Sequence, residues 1–274
     1  MKQKVIFLDV DGTLCNHKGI IPPSAIKACQ TARKNGHRIF LSTGRSKAEI
    51  YDDMMNIGFD GVIGAAGGYI EIDGNMLRHI RMSQEQLMKL QAFFHQHQMF
   101  YIFESNSGLF CEFGTKEYIA SLIQKQMKIS FEEAMNSDFI QTLTECQNPL
   151  CDDVNKVAFL KSSLTIQEVS ELFKNEFHII PCTIPAFGEL SGEIMIPNIH
   201  KADAIHELIQ HLEVNIEDTI AIGDSVNDLE MLEYVHLGIA MGNASESVKA
   251  YADDITDSVD EDGLYKAFLK HGLI

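Results

Sequence analysis

Asp9 and Asp11 stand one residue apart at the end of an apolar run, Val5-Ile6-Phe7-Leu8, and Gly12-Thr13 follows at once. Two carboxylates this close repel each other and are costly to place together unless a cation binds between them. A bare Asp-x-Asp reads equally well as an acidic turn. The apolar lead-in and the Gly-Thr that follows favour a site, because open α/β sheets hold their ligands at the carboxyl ends of buried strands. Three further groups fall at comparable places. Thr43-Gly44 follows the run 39–41, where a hydroxyl and main-chain N–H groups suit phosphate oxygens. Lys201 opens a helical stretch, and its ammonium can offset phosphoryl charge. Gly223-Asp224-Ser225-Val226-Asn227-Asp228 follows the run 219–222.

Taken singly, each group has a plainer reading. Thr43, Asp224 and Asp228 suit helix caps, and a lone lysine is ordinarily a solvated side chain. Arg45 reads either as a bridge to a surface carboxylate or as a substrate contact. The eleven histidines show no ligand spacing, so His200, beside Lys201, reads as structural. Joint occurrence at successive strand ends is what carries the chemistry.

The elements that must position these groups alternate. Strands are expected at 5–8, 38–41 and 61–63, with helices at 25–34 and 46–57 between them. A hairpin at 69–72 and 76–80 turns on Asp73-Gly74-Asn75. From about residue 82 the texture changes. Helices at 83–98, 115–127 and 166–173 mix with strands at 99–103, 157–160 and 178–181, while 128–152 is acidic and carries no periodic signal. After 197 the strand–helix rhythm resumes: helix 201–212, strand 219–222, helix 228–233, strand 238–240, helix 246–251. The expected architecture is α/β, a doubly wound parallel sheet built from 1–81 and 197–274, interrupted by an α/β unit at 82–196.

A net charge of −17 argues against nucleic acid or an anionic membrane as partner. An anionic substrate would then need a locally positive site. Segment 1–81 carries 11 Lys/Arg against 8 Asp/Glu, whereas 197–274 carries 4 against 16, so the two pieces are complementary in sign. No apolar run approaches the ~18 residues of a membrane helix, and the N-terminus shows no secretion signal, so a cytoplasmic location is expected. The six cysteines form no C-x-x-C pair, which argues against zinc and for reduced thiols. The oligomeric state cannot be read.

Asp-Val-Asp-Gly-Thr-Leu, Ser-Thr-Gly-Arg, a lone Lys and Gly-Asp-Ser-x-Asn-Asp together resemble the four-motif pattern of the haloacid dehalogenase superfamily. Ala240-Met241-Gly242-Asn243-Ala244, Val248-Lys249, Ala252-Asp253 and Glu261-Asp262-Gly263 are similar to its Cof-type phosphatases. One departure is Ala66-Gly67-Gly68, where that subfamily shows Asn-Gly-Ala. The resemblance implies an Mg²⁺-dependent phosphatase acting on small phosphorylated molecules such as sugar phosphates. In it Asp9 is the nucleophile and Asp11 the general acid and base. Asp9, Asp224 and the carbonyl of Asp11 hold the metal. Val10, Thr43, Gly44, Lys201 and Asn227 bind phosphate or orient the site, Asp228 supports them, and 15–21 forms a flap. A sugar-phosphate mutase on the same scaffold and a non-catalytic phosphate sensor are the alternatives. Against a mutase, 82–196 contains no arginine and has seven lysines among fifteen acids, though Lys156 and Lys161 could still converge. Against a sensor, nucleophile and acid are both present.

Overall fold

The computed structural model describes residues 2–16, 18–182 and 184–274. Apolar alternation and glycine-marked turns give β1 (Val5–Leu8), α1 (Pro23–Lys34), β2 (Arg38–Ser42), the single-turn α2 (Asp52–Met55) and β3 (Gly61–Gly64). The hairpin β4 (Tyr69–Ile72) and β5 (Asn75–His79) pairs Ile72 with Asn75. Its two turn residues, Asp73 and Gly74, both take positive φ (50° and 77°), as a type I′ hairpin requires. The inserted stretch gives α3 (Gln84–Gln96), β6 (Phe100–Ser105), β7 (Leu109–Cys111) and α4 (Thr115–Met127). It continues with α5 (Phe131–Met135), α6 (Asp138–Thr142), β8 (Leu143–Glu145), β9 (Val154–Leu160), α7 (Ile166–Phe173), β10 (His178–Pro181) and β11 (Gly192–Met195). Last come α8 (Lys201–His211), β12 (Thr219–Gly223), α9 (Leu229–Tyr234), β13 (Leu237–Ala240), α10 (Glu246–Lys249), β14 (Asp254–Ile255) and α11 (Gly263–Lys270).

By its contacts the chain divides into two units: Met1–Arg45 with Ile50–His79 and Ile199–Ile274, and Ser46–Glu49 with Ile80–Asn198. The first holds one sheet in the order β14-β13-β12-β1-β2-β3-β4-β5, parallel from β14 to β3. One face packs on α1 and α11 through Ile6, Leu8, Leu41, Ala28 and Phe268; the other packs on α8 and α9 through Phe7, Phe40, Ile205 and Met231. This two-sided burial is why β1 is apolar throughout. The register sets the rest: Leu8 pairs with Leu41 on one side and Ile222 on the other. The residues just past these three strands, from 9, 43 and 224, therefore leave the sheet on the same edge.

The second unit is a six-stranded sheet, β10-β11-β9-β6-β7-β8, antiparallel except between β7 and β8. Period-two alternation sends Tyr101, Phe103, Val157 and Phe159 to the α3 and α7 face, and Ile102, Ala158 and Leu160 to the α4 to α6 face.

Several expected bounds shift. The helix at 46–57 is a 3-10 turn at Lys47–Glu49 and the one-turn α2. Glu49 accepts from both the N–H and the hydroxyl of Ser46, and Tyr51 is extended, which closes the first turn and restarts the second. A 3-10 turn, Val226–Asp228, precedes α9, and α10 ends at Lys249 rather than 251. The acidic stretch 128–152 holds α5, α6 and β8, and β7 had no sequence signal of its own. Of the flap at 15–21, His17 lies outside the described residues. No helix among the described residues is long and apolar enough to cross a membrane.

Candidate active site

Asp9 continues β1 by one residue, its N–H on the carbonyl of Ile222 at 3.0 Å, and its side chain is buried. The chain then turns tightly. The carbonyl of Val10 accepts from the N–H groups of Thr13, Leu14 and Cys15, and the Val10 side chain lies in the core. Gly12 has φ 92°, and a Cβ there would fall 2.1 Å from Oδ2 of Asp224. Only glycine lets the β1 loop come this close to the β12 loop.

Lys201, the first residue of α8, is 1% exposed. Its Nζ donates to Asp9 at 2.7 Å and to Asp228 at 2.5 Å. Asp228 is completely buried, and its second oxygen accepts the N–H groups of Asp224 and Ser225, both at 3.0 Å. It therefore braces the β12 loop and Lys201 at once. Asp224 receives Asn243 Nδ2 at 3.0 Å and lies 3.5 Å from Thr13 Oγ1. Asn243 also donates to the carbonyl of Gly12 at 2.9 Å and accepts from the N–H of Val259 at 3.0 Å. It ties three loops together. Its place just past β13, within the Cof-like run 240–244, was the available signal.

Thr43 is buried; its N–H donates to Ile63 at 2.8 Å and its hydroxyl accepts the N–H of Arg45 at 3.1 Å. Gly44 comes next to Asn227, whose Nδ2 would lie 3.5 Å from a Cβ at that position, and Asn227 accepts from the Ser225 hydroxyl at 2.7 Å. Asn227 is exposed. The departure at Ala66 sits in the same region. Ala65 and Ala66 both take positive φ (49° and 54°), held by hydrogen bonds from their N–H groups to Arg45 and Thr43. Asparagine tolerates that conformation better than alanine, so Ala66 sits there at a backbone cost.

Asp11 departs from the expected carboxylate cluster. Its side chain is 57% exposed and sits in a two-pronged contact with Arg45, Nε to Oδ2 at 2.8 Å and Nη2 to Oδ1 at 2.7 Å. The buried carboxylates brought together are Asp9, Asp224 and Asp228, with one oxygen of each within 4.8 Å of the others. Like charges at that spacing repel by about 3 kcal/mol per pair at an effective dielectric of about 20. One ammonium faces three carboxylates here. Burial, and then Asp228, push Asp9 well above the usual carboxylate range despite Lys201. Burial pulls Lys201 down, but Asp228 and Asp9 together outweigh it and hold the ammonium charged. The surplus negative charge and the all-oxygen donor set fit a hard divalent cation. Asp228 has given its oxygens to Lys201 and the main chain, so Asp9 and Asp224 are the side chains placed to hold one. Cys15, beside Asp11, is pushed up to about 12 by burial, then by Asp11, and is no nucleophile at neutral pH.

A doubly wound sheet with acidic, hydroxyl and lysine groups at the ends of β1, β2 and β12 and the start of α8 defines a phosphoryl-handling enzyme class. Residues 6–268 match the haloacid dehalogenase-like hydrolase family, and the chain belongs to it. It is similar over its full length to the putative phosphatase YkrA of Bacillus subtilis, at 27% identity with both chains covered completely. Among solved structures, the HAD subclass IIB sugar phosphatase BT4131 superposes with a TM-score of 0.73 at 27% identity, covering 99% of this chain and 100% of that one. A hypothetical protein of Geobacillus kaustophilus shares the fold, with a TM-score of 0.84 at 24% identity over 99% of this chain and 100% of that one. The protein is a phosphatase of this family.

Proposed function

We propose that the protein hydrolyses small phosphomonoesters through an aspartyl-phosphate on Asp9, with Mg²⁺ as cofactor and sugar phosphates or similar metabolites as substrates. The observation that carries this reading is the buried Lys201 bridging Asp9 and Asp228 with Asp224 alongside. A carboxylate oxygen of Asp9 bonds to phosphorus as the ester P–O bond breaks, and Asp11 gives a proton to the departing oxygen. Water then attacks phosphorus, the acyl-phosphate bond breaks, and Asp11 takes the water's proton. Lys201 steadies Asp9 and, with Thr43 and Gly44, receives the phosphoryl oxygens. Val10 can contribute only through its main-chain N–H, since its side chain is in the core and its carbonyl closes the turn. Asn227 orients the loop and Asp228 holds Lys201. Mg²⁺, held by Asp9, Asp224 and the carbonyl of Asp11, would neutralise the charge gathered where phosphate binds.

The unit at 82–196 selects the substrate body. A second phosphate, as a mutase needs, would find few cations there. Lys156 is buried between Glu104 and Glu193, and Lys161 lies over the rings of Phe100 and Tyr118, so the two do not present a paired anion site. The chain's likeness to a sugar phosphatase supports a neutral, hydroxyl-rich body.

Phosphate release from p-nitrophenyl phosphate and a panel of sugar phosphates tests this, with EDTA abolishing and Mg²⁺ restoring it. Full turnover after exhaustive chelation removes the metal. Isomerisation of glucose 1-phosphate that is stimulated by glucose 1,6-bisphosphate and exceeds phosphate release replaces the hydrolase with a mutase.

A further inference from the structure

The two carboxylates of Asp9-Val10-Asp11 have different cations. Asp9 has a buried point charge, Lys201, while Asp11 has a planar fork, Arg45, that occupies both of its oxygens. The fork is built in. Arg45 follows β2 as Asp11 follows β1, and the register sets these strand ends next to each other. The Arg45 main chain is fixed on both sides, its N–H on the Thr43 hydroxyl and its carbonyl accepting from Ala65 at 2.7 Å. Its guanidinium lies 5.8 Å from the centre of the Tyr51 ring. The arginine side chain is 19% exposed against 57% for Asp11, so the cation belongs to the frame and the carboxylate to the opening.

A carboxylate gripped at both oxygens by N–H donors has both of them turned to the fork and neither toward a leaving group. The proposed reaction, on which this inference rests, needs the Asp11 carboxylate free to face the departing oxygen. Arg45 is two residues from Thr43 in the phosphate-binding turn, and a phosphate dianion satisfies the same two-pronged geometry as a carboxylate. We infer that Arg45 holds Asp11 in the free enzyme and exchanges it for the phosphate of an entering substrate. Asp11, released, is free to face the leaving oxygen. When product leaves, the fork closes on Asp11 again. Binding energy from the phosphate thus goes into freeing Asp11 only while a phosphate occupies the site.

The exchange makes Asp11 and phosphate competitors for one guanidinium, which a double-mutant cycle measures without turnover. Binding of inorganic phosphate in the presence of Mg²⁺ is followed by calorimetry for wild type, Asp11→Asn, Arg45→Met and the double variant. Asp11→Asn frees the fork and should tighten phosphate binding by about tenfold, the size expected of a charge-assisted hydrogen bond to the phosphate. In the Arg45→Met background the same change should tighten binding by less than about threefold, the part owed only to lost repulsion between Asp11 and phosphate. Equal tightening in both backgrounds overturns the exchange. Arg45→Lys, which keeps the charge without the fork, should fall between the two and serves where Arg45→Met folds poorly. Tightening with Lys equal to that with Arg also overturns the bidentate exchange. Hydrolysis of p-nitrophenyl phosphate by the wild type is measured in parallel. Its absence removes the phosphatase reading, whereas equal tightening across the cycle removes the exchange alone.

Discussion

Both units of the chain bury a lysine between two carboxylates. Lys201 meets Asp9 and Asp228; Lys156 meets Glu104 at 2.9 Å and Glu193 at 3.2 Å. In both, burial opposes the ammonium and the neighbouring acids outweigh it, holding each lysine above its ordinary value. Both have a further acid nearby, Asp224 in one case and Glu49 in the other. The difference lies in what holds the carboxylates. Glu104, Lys156 and Glu193 stand on three adjacent strands, β6, β9 and β11, with Glu104 directly opposite Lys156. That cluster comes from sheet register. Around Lys201, Asp9, Asp224 and Asp228 come from strand ends and loops, and main-chain N–H groups and Asn243 orient them. Charges fixed by strand interiors stabilise or strain a sheet. Charges fixed at strand ends remain where a ligand can reach them.

The largest expected effects separate the two lysines. Removing the cation from either cluster leaves buried carboxylates uncompensated, so Lys201→Met and Lys156→Met should each cost roughly 3–5 kcal/mol of stability. Turnover should divide them. Assayed on folded protein with p-nitrophenyl phosphate, Lys201→Met should lose at least about a thousandfold, comparable to Asp9→Asn, because it strips charge stabilisation from the proposed nucleophile. Lys156→Met should lose less than about tenfold, since it touches no group assigned to the chemistry. An equal collapse in both would make the Lys156 cluster part of the catalytic machinery. Glu104→Gln should be tolerated better than Lys156→Met, because it removes one of the acids that crowd the single ammonium.

These clusters also differ in how far sequence reaches. Asp9, Thr43 and Asp224 each follow a short apolar run, and parallel strands bring successive run ends together, so these could be named from the pattern, with Lys201 added as the first residue of a helix. Lys156 pairs with acids 52 and 37 positions away, across antiparallel strands whose order and register no local pattern fixes. Helix 46–57 failed for a related reason, because Glu49 satisfies Ser46 and ends the turn that periodicity would have continued. Asp11 was named, but its grip by Arg45 depends on β1 and β2 being neighbours. Asn243 was in view without a role, because a neutral amide past a strand end carries no charge to mark it.

A middle-sized effect tests the loop-borne site directly. Asn243→Ala removes the donor that aims Asp224 and ties down the Gly12 carbonyl. Partners that orient metal ligands typically matter by 10–100-fold in affinity, so the Mg²⁺ activation midpoint should rise by about that factor. Titration with Mn²⁺ followed by its spin-resonance signal should show the same weakening without turnover. Unchanged ion binding would reduce Asn243 to a loop tether.

The smallest effect belongs to the inserted unit, which secures its helices differently from the core. There α3, α5 and α7 each begin with a reciprocal box, Ser83 with Gln86, Ser130 with Glu133 and Thr165 with Glu168. In the first unit, α1, α8 and α11 make no side-chain cap bond among the described residues. Thr165→Ala should cost about 1 kcal/mol. Its pH dependence carries the sharper sign. The Thr165 N–H, then its hydroxyl, hold Glu168 below the usual carboxylate value, and Ser130 does the same for Glu133. A folded value below the unfolded one means that the unfolded chain binds more protons. The stabilisation is therefore present above the ordinary glutamate range, and it is lost as pH falls through that range toward the folded value. Melting temperatures of wild type and Glu168→Gln measured from neutral pH down to about pH 3 should converge on acidification, the variant having no carboxylate to protonate. Parallel curves across that window would mean that the charge of Glu168 adds nothing to what a glutamine oxygen supplies in the same box.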